Sequence, residues 1–160
     1  MILIAYASKS GFAKEAAEIL AKTLPPAGLV DLVDLTQKTP ALDGYDSVIV
    51  GAGVRVGAIN KAAKSFLDNN RVALGSKRLG IFISNCFADS TDEVLKSSVP
   101  EELRSSAVWI GSVGGRLDTA RLKGIDKMIA KAASRAVKED QKVYDNLDHA
   151  ALEELASCFQ

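Results

Sequence analysis

The sequence is poor in the residues on which several common kinds of site depend. Its 160 residues include 2 cysteines and 1 histidine. Cys86 and Cys158 lie far apart, without metal-ligand spacing, so the sequence predicts two free thiols and no metal site or disulfide scaffold. The 20 basic and 20 acidic residues cancel, which argues against a dedicated nucleic-acid-binding domain. No apolar run reaches the roughly 18 residues that predict a membrane span.

Several catalytic motifs are also missing. The sequence has no G-x-x-x-x-G-K-[ST] motif, which argues against a P-loop nucleotide hydrolase. The first predicted strand ends without the acidic pair that a Mg²⁺-dependent phosphorylation receiver needs. His149 lies near the start of the last predicted helix, where we expect a surface residue rather than a catalytic base. Residues 1–6 enter a strand pattern without a basic region, so we expect no signal peptide and a cytoplasmic protein.

Apolar strand patterns alternate with helical patterns along most of the chain. The predicted strands are 2–7, 29–35, 47–51, 79–84 and 107–113. The predicted helices between them are 11–24, 58–70 and short pieces within 90–105. Central strands that are apolar on both sides are typical of parallel sheets covered by helices on both faces. The pattern therefore predicts a single α/β domain, a doubly wound three-layer sandwich.

The C-terminal third is less regular. It predicts a helix over 122–137, a short strand near Val143 and a last helix over 148–159 with Asp148 as its N-cap. A five-stranded doubly wound sheet needs only one helix after its fifth strand. We therefore expect 114–142 to be a helical insertion that interrupts the fifth strand, which resumes near Val143.

Three loops are candidates for ligand binding, because such sheets bind ligands at the carboxyl ends of their strands. Residues 8–13, after the first strand, combine two hydroxyls and a glycine with a helix N-terminus, which predicts an anion-binding cradle. The alternative is an ordinary turn in which Ser10 caps the helix. Residues 51–57 contain three glycines, which permit close approach to a flat ligand, and Arg55 as its charge partner; the alternative is a tight turn with a solvated arginine.

The third loop, 84–90, follows the fourth strand. Phe87 is a candidate to stack on a ring and Asn85 to bond to a heterocycle edge. The alternative is a polar turn with Phe87 in the core. Cys86 lies in the same loop, where a free buried thiol is the simpler interpretation.

Taken together, the three loops resemble those of flavodoxin-like proteins. Residues 8–13 resemble that family's phosphate loop, T/S-x-T/S-G-x-T, with Ala13 in place of the last hydroxyl. The resemblance implies flavin mononucleotide (FMN) as cofactor, and a parallel sheet in the order 2-1-3-4-5. It also implies that the other two loops hold the isoalloxazine ring. The implied cofactor-binding residues are Ser8, Lys9, Ser10, Gly11, Phe12, Ala13, Ala52, Gly53, Val54, Arg55, Val56, Gly57, Ser84, Asn85, Cys86 and Phe87.

A narrower resemblance concerns residues 43–57, which are similar to the matching stretch of menaquinone-dependent protoporphyrinogen dehydrogenases. That group also has a helical insertion in its fifth strand. Residues 116–126 keep the basic character of that insertion but have no aromatic residue, and Val56 stands where that group has an aromatic.

Three functions stay open from the sequence. The first is an FMN-binding electron-transfer protein, and the second is a protoporphyrinogen dehydrogenase-like enzyme that passes electrons to a quinone. The third is a flavin-free binding module of the same architecture. Flavin chemistry requires no acid–base pair, so we name no catalytic residue. Arg55 beside the ring would stabilise the negative charge of the reduced cofactor and raise its potential.

The partners expected are a redox protein, a quinone or a small organic substrate. Residues 114–142 also carry eight basic and four acidic residues. Four of the basic ones recur every fourth residue, at 123, 127, 131 and 135, and form one stripe on the predicted helix 122–137. Such a stripe is either a solvated face or a peripheral contact with an anionic membrane or an acidic partner.

Overall fold

The computed structural model describes residues 1–25, 29–118 and 143–160. The strands are β1 (Ile2–Ala7), β2 (Val30–Asp34), β3 (Ser47–Arg55), β4 (Ala58–Ile59), β5 (Arg78–Ser84), β6 (Trp109–Ser112), β7 (Gly114–Asp118) and β8 (Val143–Leu147). The helices are α1 (Phe12–Thr23), α2 (Lys61–Asn69), α3 (Arg71–Gly75), α4 (Thr91–Ser98), α5 (Glu101–Ser106) and α6 (His149–Ser157). A 3₁₀ turn, Ala88–Ser90, precedes α4.

Five parallel strands form the central sheet in the order β2-β1-β3-β5-β6. This is the predicted order 2-1-3-4-5, because β4 is only a two-residue strand paired antiparallel with the end of β3. All six residues of β1 are buried, as a central strand covered on both faces requires. β2 lies at one edge of the sheet; its exposed residue is Leu32, whereas Asp31 and Asp34 are half-buried.

The core has two parts, one on each face of the sheet. On one face, Leu3, Val50 and Ile81 pack with the buried side chains of α2 to α5. On the other, Ile4 and Phe82 pack with α1 and α6. The predicted arrangement of helices on both faces is thus confirmed.

Gly51 has a packing role that the sequence did not reveal. A β-carbon built at this position would lie 2.1 Å from Cζ of Phe82 on the neighbouring strand. The absence of a side chain therefore makes room for a buried aromatic ring. Gly51 serves the core rather than the close approach of a ligand, which we had predicted for the glycines of this loop.

The chain leaves the sheet after β6, where the insertion was predicted. β7 and β8 pair antiparallel as a separate two-stranded sheet, which we call the arm. A strand does begin at Val143, but it does not resume the fifth strand of the parallel sheet. The two ends of the arm meet, because the N–H of Asp148 donates to the carbonyl of Val113 at 3.0 Å. The predicted helix 122–137, and with it the basic stripe, lies outside the described residues.

Candidate functional site

The carboxyl ends of β1, β3 and β5 bring the three predicted loops to one edge of the sheet. Because the strands are parallel and in register, Ala7 faces Ala52 and Gly53 faces Ser84. The loops that follow these strands therefore lie side by side. This edge is the topological switch point, at which β1 and β3 lead in opposite directions across the sheet.

The first loop ends in a helix whose N-terminus no described side chain caps. The N-cap residue is Gly11, at φ 89°, a left-handed conformation that favours glycine. Ser8 Oγ accepts a hydrogen bond from the N–H of Gly11 at 3.0 Å, so this hydroxyl shapes the turn. The alternative in which Ser10 caps the helix is wrong, since Ser10 makes no capping bond. The N–H groups of the first helical turn consequently point out of the helix towards the loop.

Two predicted residues of this loop have buried side chains. Phe12 and Ala13 are each only 1% exposed and belong to the core under α1. Their side chains cannot reach a ligand at the surface, so only their backbone N–H groups are available to one. Lys9, Ser10 and Gly11 are exposed at the same end of the helix.

The second loop is a β-hairpin rather than the start of a helix. Arg55 pairs with Ala58, so Val56 and Gly57 are the two central residues of the turn, with φ of 52° and 71°. Positive φ at both positions is the mark of a type I′ hairpin turn. The predicted helix over 58–70 accordingly begins only at Lys61, where the Asn60 side chain accepts the N–H of Ala62 at 2.9 Å.

Exposure along this hairpin increases towards its tip. Ala52 is buried, Gly53 and Val54 are half-buried, and Arg55 is exposed. The Val56 side chain is 69% exposed. The tip therefore presents an apolar side chain and a charged one to solvent at the edge where the first loop lies.

The third loop is organised by Asn85, whose side chain is 6% exposed. Its amide nitrogen donates to the Phe87 carbonyl at 2.8 Å and to Ser90 Oγ at 3.0 Å, and its Oδ1 accepts the N–H of Phe87 at 3.2 Å. We predicted that Asn85 bonds to a heterocycle edge, but in the structure its side chain holds the loop instead. Ser84 is likewise buried, at 8% exposure.

Phe87 is the exposed aromatic of this loop. Its ring is 41% exposed, so the alternative in which it is tucked into the core is wrong. The hydrogen bonds from Asn85 fix the backbone on which the ring stands. A solvent-facing aromatic at this edge suits stacking against a flat ligand.

Cys86, in the third loop, is half-buried against the arm. A β-carbon on Gly115 would lie 2.6 Å from the Cys86 nitrogen and 2.8 Å from its Sγ, so β7 packs directly on this loop. The N–H of Asn85 also donates to the carbonyl of Gly114 at 2.9 Å. Burial raises the pKa of the Cys86 thiol, which lowers the fraction of reactive thiolate near neutral pH.

Sequence reasoning missed one residue at this edge. Arg116, on β7, forms an ion pair of 2.9 Å with Glu15 in the first turn of α1. Its guanidinium also lies 5.5 Å from the centroid of the Phe12 ring. The sequence indicated only a basic insertion, and nothing in it identified α1 as the partner of this arginine.

Among residues 1–25, 29–118 and 143–160, no group of three or more His, Cys, Asp or Glu side chains could hold a metal ion. None of the helices described is both long and apolar enough to cross a bilayer. His149 is exposed at the start of α6, as predicted.

Solved structures of similar fold come from several kinds of redox protein. A short-chain flavodoxin associated with a bacterial microcompartment has 16% identity and a TM-score of 0.59, over 99% of this chain and 95% of that one. An oxidoreductase from Corynebacterium diphtheriae has 18% identity and a TM-score of 0.55, over 99% of this chain and 97% of that one. Rubredoxin:oxygen oxidoreductase from Desulfovibrio gigas has 17% identity and a TM-score of 0.54. That match covers 97% of this chain but only 37% of the longer protein.

Comparison of sequences adds the family. None of the curated proteins matches this chain. At the identities given above, the solved structures establish the fold alone. The sequence profile of the flavodoxin domain, in contrast, matches residues 3–144, which is most of the chain. The protein therefore belongs to the flavodoxin domain family.

Proposed function

We propose that this protein binds FMN without a covalent bond and transfers electrons through it. One observation carries the proposal: an uncapped helix N-terminus, a type I′ hairpin and a loop with an exposed aromatic lie together at the switch point of the sheet. The first suits a phosphate, and the other two suit a flat ring. No other described edge of the sheet combines these three features.

The phosphate end of the site is built from backbone. The first-turn N–H groups of α1 and the positive end of its dipole attract an anion, and Ser8 holds the turn that exposes them. Ser10 and Lys9 are exposed beside these groups and supply a hydroxyl donor and a positive charge. The departure at Ala13 fits this arrangement, because its buried methyl leaves its N–H available while removing one hydroxyl donor, worth about 1 kcal/mol.

The ring end of the site lies between the hairpin and the third loop. Phe87 offers an exposed face for stacking, and the backbone of Val56 and Gly57 offers polar groups at a turn without a bulky wall. Bound FMN supplies the electron sink. The residues of this chain position the ring, shield one side of it from water and set the charge around it.

Arg55 is the residue we assign to that charge. A cation near the ring stabilises the negative charge that reduction adds, so the potential should be higher than without it. Arg55→Ala is expected to lower the midpoint potential of bound FMN by about 20–30 mV. Arg78→Ala is the matched control, because Arg78 lies at the amino end of β5, at the opposite ends of the strands from the candidate site. Equal potentials in all three proteins would exclude this role of Arg55.

The binding test is the visible absorption spectrum after addition of FMN and removal of the free cofactor. Wild-type protein should keep the flavin bands. Ser10→Asp, which adds a negative charge beside the proposed phosphate site, should lose them. Ser105→Asp adds the same charge on an exposed turn of α5, away from the site, and should keep them. A colourless wild-type protein would refute the proposal and favour a flavin-free binding module.

The narrower functions stay predictions. They are electron exchange with a quinone, a small organic molecule or a redox protein, and oxidation of protoporphyrinogen IX. The arm after β6 favours the last of these only in that it marks an insertion where that group has one. Anaerobic reduction of the FMN-loaded protein by protoporphyrinogen IX, followed by reoxidation with menaquinone, tests both steps. Peripheral membrane contact depends on residues outside the described ranges, and co-sedimentation with anionic vesicles tests it.

A further inference from the structure

Arg116 connects the arm to the helix that begins the proposed phosphate site. It lies on β7, yet its guanidinium reaches α1, 2.9 Å from Glu15 and over the ring of Phe12. The Arg116 side chain is only 26% exposed, so this ion pair is partly shielded from solvent. A partly shielded pair retains more of its electrostatic effect than one in open water.

The position of Glu15 disfavours the binding of a phosphate. It is the acidic residue in the first turn of α1, where the helix dipole favours negative charge. A carboxylate there competes with a phosphate dianion for the same positive end and repels it. Lys14, the neighbouring base of this turn, lies 3.8 Å from Glu18, further from the N-terminus. Arg116 is the base that pairs directly with Glu15.

We propose that Arg116 is a positioning residue for the flavin phosphate, and that it acts by neutralising Glu15. With the pair formed, the N-terminus of α1 offers its dipole and N–H groups to a phosphomonoester dianion without opposition from the carboxylate. The arm thereby sets how much the phosphate contributes to cofactor affinity. This inference rests on the proposed FMN site and concerns its phosphate end alone.

The test is a double-mutant cycle on FMN affinity with Glu15→Gln, Arg116→Gln and the double variant. Arg116→Gln exposes the carboxylate to the phosphate and should weaken FMN binding by about threefold to tenfold at low salt. Glu15→Gln removes the carboxylate that repels the phosphate and should tighten FMN binding by about threefold. The double variant should bind nearly as the wild type does, because both charges are gone.

Riboflavin is the matched ligand, since it has the ring but no phosphate. Its affinity should change less than twofold across the same four proteins, and the differences for FMN should shrink at high salt. Glu15 is 43% exposed on the helix surface, so its variant keeps the fold even if Arg116→Gln disturbs the arm.

Two results would overturn the inference while leaving the proposed function intact. One is a wild type that binds FMN with an affinity that Glu15→Gln does not change. The other is a double variant as weak as Arg116→Gln, which would show that Arg116 acts through the position of the arm and not through charge. A wild type that binds no FMN would overturn both.

Discussion

Val56 adopts a backbone conformation that its side chain disfavours. Its φ of 52° makes it the one described residue other than glycine with a positive φ. A positive φ costs an L-residue about 1–2 kcal/mol of conformational free energy, and it is especially unfavourable for a β-branched side chain. Because 69% of the side chain is exposed, replacing it removes little packing. Val56→Asn, which restores the Asn-Gly pair typical of type I′ turns, should therefore stabilise the protein by about 1 kcal/mol.

Equilibrium unfolding measures this gain. At this chain length, a gain of about 1 kcal/mol raises the thermal midpoint by roughly 2–4 °C. Val72→Asn is the matched control, since Val72 is 90% exposed but lies in α3 with an ordinary backbone. Valine and asparagine have similar helix propensities, so this control should change stability by less than about 0.5 kcal/mol. If Val56→Asn were no more stable than the control, the strain argument would be refuted.

Three further predictions concern the core, the thiols and a surface carboxylate. Gly51→Ala should cost about 1–3 kcal/mol because its methyl would overlap the Phe82 ring, and Phe82→Leu in the same chain should restore part of that loss in urea unfolding. FMN should slow the alkylation of Cys86, as measured by peptide mass spectrometry, but not the alkylation of Cys158, whose Sγ lies near a carbonyl at the opposite ends of the strands. Because burial raises the pKa of Cys86, the rate of its alkylation should keep increasing above pH 8. A hydrogen bond from a lysine lowers the pKa of Asp68, so Asp68→Asn should be less stable than the wild type near pH 7. This difference in stability should disappear as the pH falls through the lowered pKa, and a constant difference down to acid pH would contradict the prediction.

The order of strands and helices could be predicted because the decisive signals are local. Runs that are apolar on both sides, such as β1 and β3, fit only the middle of a covered sheet. Helix α1 shows a clear apolar face, and the turns between these elements contain glycine or proline. The positions of the three loops then followed from topology alone, because parallel strands bring their carboxyl ends to one edge.

The details that sequence could not supply depend on contacts distant in the chain. Nothing near Gly51 indicates that Phe82 needs its space. The hairpin at Val56 lacks the Asn-Gly signal, and the alanines that follow favour a helix, which explains the wrong start at 58. Asn85 is a residue type that often binds a heterocycle, but only the structure shows that its side chain is already hydrogen-bonded within the third loop.

The closed base of the arm makes this place in the fold tolerant of change. A backbone hydrogen bond joins Asp148 to Val113, so the two ends of the arm lie side by side. The central sheet is complete before the arm begins, and the chain continues into α6 where the arm ends. Doubling the length of a loop whose two ends are fixed costs only about 0.6 kcal/mol of closure entropy. Segments of different length can thus be grafted here while the folding of the sheet stays nearly unaffected. Selection can therefore alter the surroundings of the candidate site by exchanging one module, without rebuilding the frame that supports it.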